Sequence, residues 1–176
     1  MMSFAYLYFG AGLGLGLIHN GQLVQGAFGN AGEIGHIPMP SGFMLEDRLS
    51  RLSVQRHMAE MGKPSTGIET LDSLYLQQDP DLMDWLESAC SALGYAMSIV
   101  ENVFDPQTVV LGGAMPGSIL DHLVAHTDLP DLSVSNRPQS PHPRLMRGAS
   151  GRMTATTGAA ALVLNRTLNL PFDHVH

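Results

Sequence analysis

From Gly10 to Gly16 glycine occupies every second position, with Ala11, Leu13 and Leu15 between, and Leu17-Ile18 follow. Period two is the side-chain period of extended backbone, so the segment reads as a strand with one packed face and one face of bare backbone. Asn20-Gly21 then reads as a tight hairpin turn into Gln22-Leu23-Val24-Gln25. With the aromatic-rich run Phe4–Phe9 ahead of it, the chain opens with two or three antiparallel strands. The same glycines make a poor membrane helix, and no positive charge precedes the apolar run, so neither a signal peptide nor a transmembrane span is expected.

Beyond the hairpin, Gly26 to Ser41 is rich in glycine and proline and reads as a loop. Leu45, Leu49, Leu52 and Met58 keep helical spacing from Met44 to about Met61, and Gly62 with Pro64 supplies a stop. Asp79-Pro80 opens a longer helix whose apolar positions Leu82, Trp85, Leu86, Ala89, Leu93, Ala96, Met97, Val100 and Phe104 hold the 3.6 period until Asp105-Pro106. Thr108–Leu111 reads as a buried strand entering the Gly112-Gly113 turn. Ser118–Ala125 is a short helix candidate, Leu132–Ser135 and Arg144–Ala149 are strand candidates, 136–143 is a proline-rich loop, and Thr156–Leu164 is an alanine-rich final helix. Strands first, then helices alternating with strands, predict an α/β mixed sheet with helices packed on it, as a single domain over 1–176.

Composition narrows the function. At 44% hydrophobic and 14% charged residues the chain can build a core and is not a disordered tail. Nine Lys and Arg against 16 Asp and Glu, net charge −7, with no basic run, exclude direct phosphate neutralisation on nucleic acid. The single Cys90 excludes a disulfide framework and a cysteine zinc cluster built within one chain, which fits a reducing, cytoplasmic setting.

The glycine alternation is neither a dinucleotide fingerprint, since no G-x-G-x-x-G lies in register, nor a Walker A loop, which needs a lysine after its last glycine. Its bare backbone suits approach by a phosphate or sugar, and equally suits tight packing. The informative segment is Gly29–His36, where Glu33 and His36 sit three apart in a glycine-flanked turn. A carboxylate acceptor beside an imidazole matches the hydroxyls of a polyol; a loop satisfying its own backbone is the competing reading. His122 and His126, four apart, share a helix face, but the sequence places no third metal ligand and an exposed face accounts for them. His142, His174 and His176 fall in a loop and a tail, Ser150 lacks nucleophile-elbow spacing, and Met44, Met58, Met61, Met83 and Met97 read as core filler.

Phe9–Ile18, Asn20-Gly21, Gly26 and Ala31-Gly32-Glu33-Ile34-Gly35-His36, followed by Val109–Gly113 and Gly158-Ala159-Ala160, resemble in order the C-terminal lobe of the ROK family of repressors and sugar kinases. The resemblance implies an RNase H-like, actin-like ATPase lobe that binds a hexose or N-acetylhexosamine against an N-terminal lobe, with that lobe and any helix-turn-helix lying outside the matching segments. It implies that Glu33 and His36, with Asn30 in the same turn, hold sugar hydroxyls, and that Glu46 joins them. In a kinase, Gly10, Gly12 and Gly14 would face nucleotide phosphates and Gly112-Gly113 the adenine.

Three departures from the family pattern shape the functional expectation. No cysteine lies between Ile37 and Leu45, so the family's zinc is not expected at His36. The kinases' Asp-x-Gly-Gly-Thr loop and Asn-Asp catalytic pair do not occur in these residues. Ala11 and Leu15 stand where kinases tend to carry a hydroxyl residue and a further glycine. The expectation is a non-catalytic, sugar-sensing lobe of a transcriptional regulator that needs no cofactor. The alternatives are the C-terminal lobe of a sugar kinase using ATP and Mg, or a dimerising remnant. A homodimer is expected, through Asp81–Val103 or the would-be interlobe face.

Overall fold

The computed structural model describes residues 2–63 and 67–150. Five strands, β1 (Phe4–Phe9), β2 (Leu13–His19), β3 (Gln22–Leu23), β4 (Val109–Gly113) and β5 (Leu145–Ser150), form one sheet in the order β3-β2-β1-β4-β5. β1 and β2 pair antiparallel from Phe4↔Ile18 to Phe9↔Leu13, whereas β4 runs parallel to both β1 and β5. This mixed sheet, with helices α1 (Arg51–Glu60), α2 (Ile68–Leu76), α3 (Pro80–Phe104) and α4 (Gly117–His126), is the α/β architecture expected from the sequence.

Alternation decides which face is buried. Ala5, Leu7 and Phe9 of β1, Leu13, Leu15 and Leu17 of β2, and Val109 and Leu111 of β4 share one core with Trp85, Leu86, Leu93 and Met97 of α3 and Ile119, Leu120 and Leu123 of α4. Phe9 meets Trp85 edge to face at 6.3 Å, and the indole N–H donates to Ser53 Oγ at 3.1 Å, so the buried tryptophan's polar atom is satisfied. The opposite register carries Tyr6 and Tyr8, paired across the strands with Gly16 and Gly14. At one end of the sheet the buried Glu101 carboxylate accepts two bonds from Arg144, at 2.8 and 2.7 Å, tying the end of α3 to the residue preceding β5.

Several boundaries differ from the sequence expectation. The strand expected from Gly10 begins at Leu13, because Gly10–Gly12 make the turn between β1 and β2, with the Gly10 N–H donating to the Gly12 carbonyl at 2.9 Å. Asn20 and Gly21 adopt φ of 50° and 78°, the left-handed pair that a two-residue hairpin requires, but β3 ends at Leu23 and omits Val24 and Gln25. The helix expected from Met44 begins at Arg51. Ser50 caps it, accepting from the Ser53 N–H at 3.0 Å while Ser53 Oγ accepts from the Ser50 N–H at 3.1 Å. Leu132–Ser135 forms turns, not a strand, and α2 is an element the sequence reading omitted. The expected helix Thr156–Leu164 lies outside the described residues.

Candidate functional site

The site begins with the shortness of β3. β3 pairs with β2 only at Ile18 and His19, so ahead of these the outer edge of β2 has no strand partner among the described residues, and the Leu15 N–H instead donates to the carbonyl of Gly32 at 2.9 Å. Gly32 adopts φ 99°, and a Cβ there would run into the Leu15 carbonyl, so only glycine lets the loop lie this close. Buried Ile34 anchors the loop in the core and opens a 3-10 turn, Ile34–His36, that leaves Glu33 and His36 on the outside. Glu33 Oε2 lies 3.3 Å from His36 Nδ1, with both side chains about two-thirds exposed (65% and 69%).

The chain then doubles back. The Met39 N–H donates to Phe43 at 2.8 Å and the Leu45 N–H to Ile37 at 3.0 Å, with Pro38 and Met44 bridged, so Ile37–Leu45 closes as a small hairpin held by its own hydrogen bonds. This return places Glu46, in the 3-10 turn Leu45–Asp47, with Oε1 4.0 Å from His36 Nε2. Ser50 Oγ donates to the Glu46 carbonyl at 2.6 Å, and the Arg51 N–H donates to Gly10 at 2.9 Å, fixing the glutamate to the β1–β2 turn. Buried Leu45 fastens this turn to the core. His36 therefore stands between two carboxylates supplied by separate segments.

Of the sequence candidates, Glu33, His36 and Glu46 converge. Asn30 is exposed and its side chain makes no hydrogen bond to the described residues. The five glycines divide differently. Gly12 faces the Glu46 carboxylate, the Tyr8 ring lies 2.7 Å from where a Gly10 Cβ would sit, and Gly14 alone opens onto free space. Gly112 is overlain by the Tyr6 hydroxyl, and Gly113 adopts φ 133° against the Phe9 backbone, so packing within the chain accounts for both. Ser50 was not singled out in the sequence, although the Ser50-x-x-Ser53 spacing of a capping box was its available signal.

The family's zinc does not fit here. Cys90 is buried in α3, the hairpin beside His36 contains no thiol, and among the described residues no three His, Cys, Asp or Glu side chains are placed to hold a metal ion. The arrangement is instead a solvent-facing, acceptor-rich cluster. Its two carboxylates can each accept hydroxyl protons, and its imidazole can donate or accept.

The sequence profile described as the ROK family matches residues 1–166. An N-acetyl-D-glucosamine kinase of Pectobacterium carotovorum subsp. carotovorum is 25% identical over 177 residues, covering 90% of this chain and 57% of the kinase. An N-acetylglucosamine repressor of Escherichia coli O157:H7 is 28% identical over 120 residues, covering 58% of this chain and 30% of the repressor. The crystal structure of a ROK family protein from Streptococcus pneumoniae TIGR4 in complex with sucrose shares the fold, with a TM-score of 0.74 at 17% identity, over 97% of this chain and 61% of that one. The chain thus spans from 30% to 61% of the length of these proteins.

Proposed function

Because the chain belongs to the ROK family, we propose that the Glu33–His36–Glu46 face is one wall of a binding site for a hexose or N-acetylhexosamine, in the effector-sensing lobe of a transcriptional regulator. The observation that carries this reading is the placement of His36 between two carboxylates from independent segments, 3.3 and 4.0 Å away, on an exposed surface. Adjacent sugar hydroxyls present paired donors that such acceptors match, and Gly14, two residues along from the Gly12 that faces Glu46, leaves backbone open to close approach. Asn30, exposed in the same loop, is the further side chain we assign to the sugar.

Within the family, the regulator reading rests on the first turn and strand. Ala11 is exposed and offers no hydroxyl to a phosphate, and Leu15 is spent on the core. The residues that would take the sugar proton and complete the phosphate cradle are not among these 176, so the lobe by itself binds without transferring phosphate and requires no cofactor. DNA contact belongs to another element, given the net charge of −7. Among the described residues no helix is long and apolar enough to cross a membrane; the setting we infer is cytoplasmic and the assembly a homodimer.

The second reading is the C-terminal lobe of a sugar kinase using ATP and Mg, favoured by the N-acetyl-D-glucosamine kinase match over 90% of the chain. Calorimetry with glucose, N-acetylglucosamine and N-acetylmannosamine, then with ATP and Mg, separates the two. The regulator reading expects heat from one sugar and none from nucleotide. Loss of a charged hydrogen-bond partner costs about 1.5–3 kcal/mol, so Glu33→Ala should weaken sugar binding roughly 10- to 100-fold. Unchanged binding in that variant would reject the site.

A further inference from the structure

Separate from that face, with none of its three residues in the lining, His122 and His126 of α4 border a groove of about 820 Å³. Their rings lie side by side, centroids 4.1 Å apart and planes 21° from parallel. His126 Nδ1 is 2.9 Å from the carbonyl of His122, which can only accept, so Nδ1 carries the proton and Nε2 presents a lone pair. His122 Nδ1 is 3.3 Å from the Tyr75 hydroxyl of α2. No described group bonds to either Nε2. The groove is completed by Asp84, Glu87 and Cys90 from α3 and by Asp128, and among the described residues no lysine or arginine lines it.

We propose that His122 and His126 form a two-histidine site for a borderline transition-metal dication such as Zn²⁺ or Ni²⁺, with water completing the coordination. Histidines four apart on a helix reach a common point on one face, and imidazole nitrogen is the donor such metals prefer over carboxylate. Anchoring each Nδ1 while freeing Nε2 is how metal-binding histidines are held by their surroundings. The surrounding carboxylates attract a cation into the groove. Because a bound metal lies in the plane of each ring, the stacked rings must turn toward each other. His126, exposed on the final turn, is the ring that turns, pivoting on its Nδ1 bond to the His122 carbonyl.

The test is calorimetry of the full chain with NiCl2, ZnCl2 and MgCl2 in a non-coordinating buffer, in a His142→Gln/His174→Gln/His176→Gln background that removes the loop and tail imidazoles. One equivalent of Ni²⁺ or Zn²⁺ is expected to bind, with Mg²⁺ giving no heat. Affinity should fall at least about tenfold in His122→Gln or His126→Gln and about tenfold in Tyr75→Phe. Ni²⁺ should broaden the imidazole proton resonances of these two histidines first. Retained affinity in the double variant His122→Gln/His126→Gln, with circular dichroism unchanged, would overturn the site, as would Mg²⁺ binding equal to Ni²⁺. Sugar heats measured on the same variants stay as in the parent, which separates failure here from failure of the carbohydrate reading.

Discussion

The carboxylate of Glu46 occupies the space in which a side chain at Gly12 would begin. A glycine that the strand pattern alone assigns to tight packing or to phosphate approach therefore makes room for an acid that arrives from beyond the loop, whose flexible end would have to swing aside for a side chain here. Gly12→Ala should displace the Glu46 carboxylate and lower sugar affinity, by less than the roughly 10- to 100-fold expected of Glu46→Ala, which removes it. Gly14→Ala meets open space and should leave affinity within about twofold unless the ligand itself passes over that backbone. Calorimetry of the two variants side by side makes the comparison.

Gly32 carries a heavier structural demand, because its φ of 99° and its contact with the Leu15 carbonyl both exclude a side chain. Gly32→Ala should cost about 2–4 kcal/mol, combining backbone strain with loss of the Leu15–Gly32 hydrogen bond. For a chain of this size that is a fall in Tm of roughly 4–16 °C, read by thermal denaturation. Sugar binding should fall with it, since Glu33 and His36 ride on this loop.

Arg144→Met leaves the Glu101 carboxylate buried, with the Ser133 hydroxyl, 2.5 Å away, the one donor to it that remains among the described residues. Removing one partner of a buried pair costs about 3–5 kcal/mol. Urea denaturation should show the loss, and the double variant Arg144→Met/Glu101→Leu should recover part of it.

His122 gives the fold an acid-side sensitivity. Its pKa is depressed in the folded chain, so near and above the ordinary histidine value of about 6.5 the neutral ring costs nothing, and stability declines as pH falls from there toward the depressed value. Tm measured from pH 8 to pH 5 should fall on the acid side, and His122→Gln should flatten that part of the profile.

Periodicity made much of the framework legible. Leu13, Leu15 and Leu17 alternating with glycine gave β2, Asn20-Gly21 its turn, and Trp85 to Val100 the long helix. It missed α2, where Leu71 is the one fully buried apolar residue and the 3.6 period is thin. The three-residue spacing of Glu33 and His36 was visible as chemistry. Glu46 was reachable only by resemblance, because its approach to His36 depends on the Ile37–Leu45 hairpin, whose closure is made by backbone hydrogen bonds that leave no side-chain pattern. The same holds for Tyr75 and His122, which meet through the packing of α2 on α4.

The most direct test of the carbohydrate face is a titration of ¹⁵N-labelled protein with N-acetylglucosamine and glucose, followed by amide shifts. Saturable shifts gathered at Gly12, Gly14, Gly32–His36 and Glu46, and lost in Glu46→Gln, are the predicted result. Saturable shifts that settle elsewhere on the chain, or that persist unchanged in Glu46→Gln, would contradict it.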